Sequence, residues 1–579
     1  MTIDALLRDY RSGARAPSDV IAQLFDAIDA RGLAPIWISL VDRGEAFARA
    51  SAVDLSLPLA GIPFAIKDNI DLAGVATSAG CPSFAYQPPQ SATVVLRLMA
   101  AGAIPIGKTN LDQFATGLVG RRSPYGGCTN AYDKRYISGG SSSGSALAVA
   151  EELAAFSLGT DTAGSGRVPA AFNNLVGMKP TRGLLSTTGV VPACRSLDCV
   201  SIFARDVAST ATVWRIAQGR DDQDPYSRAP SPGEDAAPWA AATFRFGVPR
   251  ENDLLFFGDR ESAGLYRQAV ARLEAIGGHP IEIDFSPFRE AGLLLYSGPW
   301  VAERSSAIGG FLAGNPPDVH PVVGGIIRGS AAYTAVDVFK AADRLETLKR
   351  DAACTWASID LLALPTAGTI YTTAAVDADP VALNTTLGYY TTFVNLMDLA
   401  AVAVPAGFRR DGLPFGISLI APAFSDGGLL RMAARFTARS SATSLDVPGC
   451  VALAVVGAHL TGQPLNNQLT SRGARLVRTC RTALPYRLYA LAGTTPPKPG
   501  LVRDAASDGH GIEVEVWAIP EDRFGSFVAA VPPPLGIGNI ELDTGEWVKG
   551  FICEPSGLSG SEEITHFVGW RAYCASRST

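Results

Sequence analysis

Apolar residues recur at helical spacing between residues 3 and 30, with a break at Ser12-Gly13. An apolar residue at every third or fourth position predicts two amphipathic helices, which we expect to pack on the outside of a larger domain. From Pro58 to Gly189, short apolar runs of strand length alternate with stretches of helical spacing. This alternation predicts a layered α/β core.

The same pattern continues further along the chain. Apolar runs predict strands at 244–249, 399–405 and 416–420. We therefore expect one large domain over residues 1–440. Residues 441–450 contain Ser, Thr, Pro and Gly in a composition typical of a linker.

Residues 451–579 have the pattern of a small, mainly β domain. The third of its predicted strands shows the two-residue alternation of a half-buried strand. A closing helix is predicted at 563–575. The predicted strands of this domain are 452–456, 486–491, 512–519 and 547–553.

The composition is that of an ordinary globular protein of 579 residues, 47% hydrophobic and 18% charged. The net charge of −6 and the pI near 5.6 argue against a nucleic-acid partner or an anionic membrane surface. No apolar run reaches membrane-spanning length, and the first residues lack a signal-peptide core. Nine cysteines without a Cys-x-x-Cys pair indicate reduced thiols, no structural zinc and a cytoplasmic location.

Residues 102–109 match the phosphate-loop pattern G-x-x-x-x-G-K-[ST]. We reject that interpretation because the intervening residues, Ala-Ile-Pro-Ile, are themselves a predicted buried strand, and a helical run at 94–101 precedes them. A phosphate loop follows a strand and is flexible enough to curl around phosphates. The segment is therefore predicted to be a structural strand end.

The candidate chemistry lies in two loops rich in glycine and serine, at 137–145 and 158–169. A helical stretch at 146–155 lies between them and is expected to bring both loops together at one end. Ser165 stands between two glycines. A tight turn of this kind exposes the hydroxyl and leaves backbone N–H groups free to point at an oxyanion.

A serine hydroxyl is a poor nucleophile until a base takes its proton. None of the five histidines lies near these loops in sequence, although the fold could bring one there. Lys67 is the other candidate, because burial can lower the pKa of a lysine from ~10.4 toward ~7–8. It ends the apolar run 61–66, as if a buried strand delivered it to a loop. A surface lysine at a strand end would show the same pattern.

These segments together resemble the amidase signature family of Ser–cis-Ser–Lys hydrolases. The Gly-Gly-Ser-Ser block of the family stands at 139–142, and its lysine segment stands at 65–69. Its Asp-Thr-Gly-Gly-Ser block stands at 161–165, with Ala163 in place of a glycine. The resemblance implies an α/β/α domain around a mixed β-sheet, followed by a small mainly β domain, with no metal and no organic cofactor.

The resemblance also implies roles for particular residues. Ser165 is the nucleophile, and Ser141 is a bridging serine that follows a cis peptide bond from Gly140. Lys67 is the base, which reaches Ser165 through Ser141. Gly117, in a loop before the serine block, lines the substrate pocket, although a plain turn would look similar.

By the same resemblance the oxyanion hole consists of the backbone N–H groups of Thr162, Ala163 and Gly164. Ala163 can serve as a donor here only if its φ is negative, because a position that needs positive φ favours glycine. The structure can decide between these two cases.

The serine block at 162–169, Thr-Ala-Gly-Ser-Gly-Arg-Val-Pro, is most similar to that of the allophanate hydrolases within this family. Tyr296 and Arg304 match a pair that those hydrolases use to hold a substrate carboxylate, a task suited to the planar fork of arginine. The resemblance therefore implies hydrolysis of allophanate, urea-1-carboxylate, to ammonia and carbon dioxide. The reaction proceeds through a seryl acyl-enzyme, with N-carboxycarbamate as the first product.

Residues 451–575 are similar to the C-terminal domain of allophanate hydrolases. The loop at 455–466 resembles a degenerate γ-glutamylcyclotransferase loop, but the Tyr-Gly-Ser/Thr-Leu of the cyclotransferases is absent. The resemblance implies a part in decarboxylation, with His459 as proton donor or anion contact. Glu515 is a further candidate. A packing histidine is the alternative for His459.

Other interpretations stay open. The chain could be the amidase subunit of a glutamine-dependent tRNA amidotransferase or a general small-amide amidase, since both share the serine–lysine chemistry. It could also be a scaffold with a vestigial site. The resemblance further implies a small anionic amide as substrate, a homodimer, and a functional link to a urea carboxylase. Whether the allophanate comes from urea or from triazine breakdown is left open.

Overall fold

The computed structural model describes residues 1–33, 35–230, 243–296, 298–440, 445, 447, 449–504, 511–543 and 545–577. The chain divides into two compact units, Met1–Thr437 and Ala438–Thr579. The first unit ends close to the boundary expected at residue 440. Most of the predicted linker at 441–450 lies outside the described residues.

The strands of the first unit form one mixed sheet. They are β1 (Trp37–Leu40), β2 (Pro63–Lys67), β3 (Ile104–Thr109), β4 (Phe156–Asp161), β5 (Val176–Lys179), β6 (Cys199–Ala204), β7 (Phe244–Pro249), β8 (Gly278–Ile283), β9 (Leu361–Pro365), β10 (Leu399–Phe408) and β11 (Pro414–Pro422). Their order across the sheet is β1-β3-β2-β4-β6-β5-β10-β11-β9-β7-β8. The predicted mixed α/β fold is confirmed.

The helices of this unit include the two predicted near the amino terminus. They are α1 (Ile3–Ser12), α2 (Pro17–Arg31), α3 (Arg43–Ser51), α4 (Thr93–Ala100), α5 (Ser143–Ala150), α6 (Val168–Phe172), α7 (Val207–Ala217), α8 (Arg260–Ala275), α9 (Ser286–Tyr296), α10 (Val301–Ala313), α11 (Pro321–Gly329), α12 (Ala335–Ser358), α13 (Thr373–Ala378), α14 (Ala382–Leu387), α15 (Phe393–Leu396) and α16 (Asp426–Ser440). Within the described part of the chain, no single helix has the length and apolar character to span a membrane. The segment Pro321–Ala332 and α12 reach that length and apolar character only when they are taken together, and the chain bends by 97° between them.

Strand β2 runs parallel to β3 on one side and to β4 on the other. All five of its residues are buried, which explains the unbroken apolar run in the sequence. Phe64 of β2 stacks on Phe156 of β4, with ring centroids 5.1 Å apart. Since parallel strands end at the same edge of a sheet, Lys67 at the end of β2 and Asp161 at the end of β4 arrive on one side.

Helix α5 differs from its predicted bounds of 146–155. It begins at Ser143, so the last serines of the first loop belong to the helix. The chain leaves the helix at Glu152, which has a φ of 60°, and the amide of Leu153 then donates to the carbonyl of Ala148 at 2.8 Å. Leu153 is buried after the helix has ended, and its helical spacing in the sequence was therefore misleading.

The structural interpretation of residues 102–109 is confirmed. Strand β3 is fully buried between β1 and β2, and α4 precedes it. Lys108 Nζ lies 3.2 Å from Asp68 Oδ1 and donates to Thr77 Oγ1 at 2.9 Å. This lysine is therefore held in a buried ion pair.

In its described residues, the second unit contains the four predicted strands and four more. Its strands are β12 (Cys450–Val455), β13 (Arg475–Arg481), β14 (Tyr486–Ala490), β15 (Pro499–Arg503), β16 (Glu513–Pro520), β17 (Leu535–Glu541), β18 (Trp547–Cys553) and β19 (Glu562–Glu563). They form a five-stranded sheet, β13-β16-β12-β18-β17, and a three-stranded sheet, β15-β14-β19. Its helices are α17 (Asn467–Thr470), α18 (Glu521–Val528) and α19 (Trp570–Ser576).

The helix predicted at 563–575 is wrong in its first half. Residues Glu562–Glu563 instead pair with β14, a 3₁₀ turn covers Thr565–Phe567, and α19 begins only at Trp570. Val568 adopts a φ of 63°, which interrupts any helix at that point.

We predict opposite effects of two Gly→Ala substitutions inside helices. In Gly144→Ala the new methyl would meet the carbonyl of Ile36 and lie 2.7 Å from the backbone nitrogen of Asn110, so we expect destabilisation by about 2 kcal/mol. Gly310 in α10 has no atom within 4 Å of such a methyl, so Gly310→Ala should stabilise the helix by about 1 kcal/mol. Thermal unfolding midpoints measure both. A midpoint for Gly144→Ala equal to or above that of the parent would contradict the close approach.

Candidate active site

Three side chains from distant parts of the sequence meet where β2 and β4 end. Lys67 Nζ lies 2.8 Å from Ser141 Oγ, which in turn lies 3.0 Å from Ser165 Oγ. All three residues are at most 2% exposed. The Gly140–Ser141 peptide bond is cis. The structure therefore brings together the base, the bridging serine and the nucleophile that the sequence analysis expected.

Two further hydroxyls, which the sequence analysis missed, surround the amine. Lys67 Nζ lies 2.9 Å from Ser142 Oγ and 2.8 Å from Thr160 Oγ1. Ser142 donates its own hydrogen to the carbonyl of Thr160 at 3.0 Å, so toward Lys67 it can only accept. Thr160 Oγ1 also accepts from Asn69 Nδ2 at 3.3 Å. When a neutral amine donates to these two hydroxyls, its lone pair faces Ser141.

The environment of Lys67 favours the neutral amine. Burial lowers its pKa from 10.5 to about 7. The carboxylates of Asp112, Asp161 and Asp198 act in the opposite direction, whereas the charge of Arg304 lowers the pKa further. A large fraction of the lysine is consequently uncharged near neutral pH, as a general base requires.

The carboxylate of Asp161 shapes the turn that carries Ser165. It accepts hydrogen bonds from the backbone N–H groups of Gly164 and Gly166, both at 2.9 Å. It also forms a buried ion pair with Arg167, with Nε 2.9 Å from Oδ2. Asp161 thus closes the turn from inside, with the charge of Arg167 to balance its own.

This arrangement corrects one expected oxyanion donor. The amide of Gly164 already donates to Asp161 and is not available to an oxyanion. By contrast, the amides of Ala163 and Ser165 have no acceptor among the residues that the structure describes. Ala163 does not adopt positive φ, so the replacement of a glycine is compatible with a donor role there. The hydroxyl of Thr162 donates to the Asp198 carboxylate.

Gly117 lies directly beside the nucleophile, because its carbonyl oxygen is 3.4 Å from Ser165 Oγ. Its φ of 157° and the position of Asp112 both require glycine, since a methyl group would lie 2.6 Å from Asp112 Oδ2. Asp112 also accepts from the amides of Val119 and Gly120 at 3.1 and 2.9 Å. The loop before the serine block therefore forms one wall of the site.

Arg304 is a fully buried cation that lacks an anionic partner. Arg304 is 2% exposed, and no carboxylate of the described chain lies within ion-pair distance of its guanidinium. Nη1 donates to Thr116 Oγ1 at 2.9 Å, Nη2 lies 3.4 Å from the Tyr296 hydroxyl, and Nε has no described acceptor. The guanidinium carbon is 5.4 Å from the centre of the Tyr296 ring. A buried charge without a partner costs several kcal/mol, so the pair is suited to an anionic ligand.

Arg122 is a second buried guanidinium that the sequence analysis missed. It donates to the carbonyl of Thr116 at 2.9 Å and to the carbonyl of Pro380 at 2.6 Å. The neighbouring Arg121 instead reaches an exposed ion pair with Asp377. The sequence contains no signal that distinguishes these two arginines, because only the fold decides which one is buried.

In the second unit, His459 lies at a cavity of about 200 Å³. Its Nε2 is 3.0 Å from Gln468 Oε1, and its ring stacks on Phe551 with centroids 4.9 Å apart. Burial lowers the pKa of this histidine. Lys498 lines the same cavity, and no carboxylate of the described residues pairs with it. The cavity therefore combines one cation with a histidine that burial favours as neutral.

Glu515, the other candidate of this unit, has a structural environment. Its carboxylate accepts from the amide of Thr461 at 2.8 Å and from Trp517 Nε1 at 3.1 Å, and it forms an ion pair with Arg571 at 2.6 Å. These contacts occupy both oxygens. Over the described ranges, no group of three or more His, Cys, Asp or Glu side chains could hold a metal ion.

The large mixed sheet and the buried lysine–serine–serine array at its edge define a hydrolase of the amidase type. The chain belongs to the amidase family, whose model matches residues 34–430. A second model, the allophanate hydrolase C-terminal domain, matches residues 451–575.

Similar proteins cover both units. Urea amidolyase of Saccharomyces cerevisiae is 44% identical over 583 residues, a match to 94% of this chain but 32% of that protein. The chain thus spans about a third of the length of that relative. The solved structure of Kluyveromyces lactis allophanate hydrolase is 42% identical with a TM-score of 0.72, and the match covers 98% of each chain. One component of the glutamyl-tRNA(Gln) amidotransferase of Symbiobacterium thermophilum is 37% identical over 419 residues, covering 67% of this chain and 84% of that protein.

Proposed function

We propose that this chain hydrolyses allophanate to ammonia and carbon dioxide, with the amide bond cleaved in the first unit. The observation that carries the proposal is the buried, unpaired guanidinium of Arg304 in the same unit as the lysine–serine–serine array. A small amide that also bears a carboxylate fits both features. The similarity to an allophanate hydrolase along nearly the whole chain supports the same substrate.

Arg304 and Tyr296 hold the substrate carboxylate in this mechanism. Ser165 attacks the carbonyl of the terminal amide while its proton passes to Ser141, and the proton of Ser141 passes to the lone pair of Lys67. When the tetrahedral intermediate collapses, the C–N bond breaks and the same proton path returns a proton to the leaving nitrogen, so that ammonia departs. The acyl group stays on Ser165 as an ester.

The amides of Ala163 and Ser165 stabilise the developing oxyanion, together with that of Thr162. A well-placed donor of this kind is worth ~3 kcal/mol of barrier. Water then attacks the ester, Lys67 again acts as base through Ser141, and N-carboxycarbamate leaves. The carbonyl of Gly117 beside Ser165 is placed to accept a hydrogen bond from a substrate N–H group.

N-carboxycarbamate then loses carbon dioxide to give carbamate, which breaks down to a second ammonia and a second carbon dioxide. We propose that the second unit assists this step, with the protonated form of His459, the minor form near neutral pH, as the proton donor to the nitrogen released from the carboxylate. Its position at a cavity next to Lys498 supports this role. The same proposal includes a urea-carboxylating activity as the source of the substrate, which the relative named urea amidolyase suggests, and a homodimeric enzyme.

The substrate assignment is tested by ammonia release from allophanate, glutamine and acetamide. We expect kcat/KM for allophanate to exceed that for acetamide by at least ~10³-fold, since acetamide has no carboxylate to pair with the buried cation. Arg304→Gln, assayed well above pH 7 where Lys67 is neutral with or without the Arg304 charge, should reduce kcat/KM for allophanate by about 10²–10³-fold and leave acetamide nearly unchanged. Arg121→Gln, at an exposed pair, is the control and should change neither. A preference for glutamine would instead favour the amidotransferase interpretation, and equal rates on all three would favour a general amidase.

The pH dependence follows from the pKa of Lys67. Because burial lowers that pKa to about 7, Lys67 is deprotonated to the neutral amine as the pH rises through 7 and is protonated below it. We expect log kcat/KM to rise by about one unit per pH unit below pH 7 and to level off above it. Lys67→Met should abolish this limb and nearly all activity, whereas the exposed Lys134→Met should preserve both. A limb that persists in residual Lys67→Met activity would show that another group titrates.

The role of His459 is tested by the timing of the two products. In His459→Asn we expect the first ammonia to appear at the parent rate, while carbon dioxide lags behind it, because only the second step has lost its proton donor. His566→Asn, on an exposed turn, serves as the control. Simultaneous release of both products in His459→Asn would remove the residue from the mechanism.

A further inference from the structure

A short loop connects the two ends of the candidate active site. It covers residues 193–198, immediately before β6, and we name it the bridging loop. At its carboxyl end, the Asp198 carboxylate accepts a hydrogen bond from the hydroxyl of Thr162, beside the proposed oxyanion donors. Asn395 reinforces this end, since its Nδ2 donates both to the carbonyl of Leu197 at 3.0 Å and to that of Asp161 at 2.8 Å.

The middle of the bridging loop is fixed to the helix that carries Arg304. The carboxylate of Glu303 accepts from the amide of Ser196 at 2.6 Å and from its hydroxyl at 2.7 Å. The thiol of Cys194 donates to the carbonyl of Trp300, the residue before α10, at 3.6 Å. Glu303 is adjacent in sequence to Arg304, so these hydrogen bonds connect the bridging loop to the turn of α10 that carries the candidate anion-binding residue.

The loop itself is compact. Asp198 Oδ2 accepts from the amide of Ala193 at 2.8 Å, which closes the loop on itself. The amides of Leu197 and Asp198 both donate to the carbonyl of Cys194, at 2.8 and 2.9 Å. Ala193, Cys194, Leu197 and Asp198 are at most 4% exposed. These hydrogen bonds and this burial leave the bridging loop little conformational freedom.

Neither carboxylate of this connection forms a close ion pair with a described residue, although both raise the pKa of Arg304 at longer range. Within the described residues, no lysine or arginine lies within ion-pair distance of Asp198 or Glu303, and both accept hydrogen bonds from backbone N–H and hydroxyl groups. Burial of Asp198 without a cationic contact is costly, and it raises the pKa of that carboxyl to about 6. A function in positioning accounts for that cost.

We propose that the bridging loop sets the distance between the oxyanion segment and Arg304 and thereby selects the length of the substrate, with Asp198 and Glu303 as positioning residues. The inference rests on the proposed function, because it takes an acid amide as the substrate. An amide whose carboxylate stands one atom beyond the carbonyl spans the fixed distance. A longer homologue must bend or displace its carbonyl from the oxyanion donors, which lowers kcat more than binding.

The test compares three amides that differ in length and charge. Malonamate has the same carbonyl-to-carboxylate separation as allophanate, succinamate is one methylene longer, and acetamide has no carboxylate. The parent should prefer malonamate to both others. In Asp198→Asn and in Glu303→Gln, the ratio of kcat/KM for malonamate to that for succinamate should fall at least tenfold, mainly through kcat on malonamate. The ratio does not depend on the folded fraction, because both substrates meet the same enzyme.

Asp206→Asn is the matched control, because this carboxylate also accepts from a backbone N–H and a hydroxyl, both of Ser209, but belongs to the start of α7. It should keep the parental ratio. Ser196→Ala, which removes only one of the two bonds to Glu303, should shift the ratio in the same direction by less. Parental ratios in both carboxylate variants, with malonamate still preferred by the parent, would overturn the role of the loop alone. A parent that does not prefer malonamate to acetamide would overturn the proposed function and this inference with it.

Discussion

The structure of the site depends on one buried amine. Lys67 Nζ is surrounded by three hydroxyl groups at 2.8 to 2.9 Å, and no carboxylate of the described residues lies in contact with it. Desolvation lowers the pKa of a buried lysine, and a carboxylate in contact with the amine opposes that shift. The contrast exists within this chain, because Lys108 on the adjacent strand pairs with Asp68. Two neighbouring parallel strands thus carry buried lysines near their ends. Lys108 contacts a carboxylate and Lys67 contacts only hydroxyls, while burial lowers the pKa of both.

The remaining buried charges of the site are arranged around that amine. Asp161 and Arg167 form an ion pair. Asp161 also accepts hydrogen bonds from two backbone N–H groups of the turn that carries Ser165. Arg304 has no such partner among the described residues, and its charge lowers the pKa of Lys67. Among these groups, the amine of Lys67 is favoured in its neutral form, and Asp161 and Arg167 form an ion pair. Arg304 forms no close ion pair with a described carboxylate, although Asp198 and Glu303 raise its pKa at longer range. The anionic substrate that we propose would give Arg304 a close anionic partner, whereas a neutral amide would not.

The sequence predicted the parts of the site that depend on local patterns. The apolar run before Lys67 and the glycine–serine blocks identified three side chains, which the structure places within hydrogen-bond distance. It did not identify Thr160, Arg122 or the contacts of Asp198, because these depend on which strands and loops become neighbours. Gly164 was assigned as a free donor because a sequence does not show that Asp161 turns back to accept its amide. In the second unit, the helix expected at 563–575 failed for a similar reason, since pairing of Glu562–Glu563 with β14 overrides the local helical pattern.

The electrostatic coupling between Arg304 and Lys67 has a consequence for the proposed reaction. In the free site, the guanidinium lowers the pKa of the amine and so keeps it available as a base near neutral pH. A substrate carboxylate bound by Arg304 cancels much of that positive charge, so the pKa of Lys67 rises once the substrate is in place. A rise in pKa makes the amine a stronger acceptor for the proton that leaves Ser165 through Ser141, and it also lowers the fraction of neutral amine near pH 7. In the proposed mechanism, the ion pair between the substrate carboxylate and Arg304 therefore changes the pKa of the group that activates the nucleophile, and a neutral amide does not bring about this change.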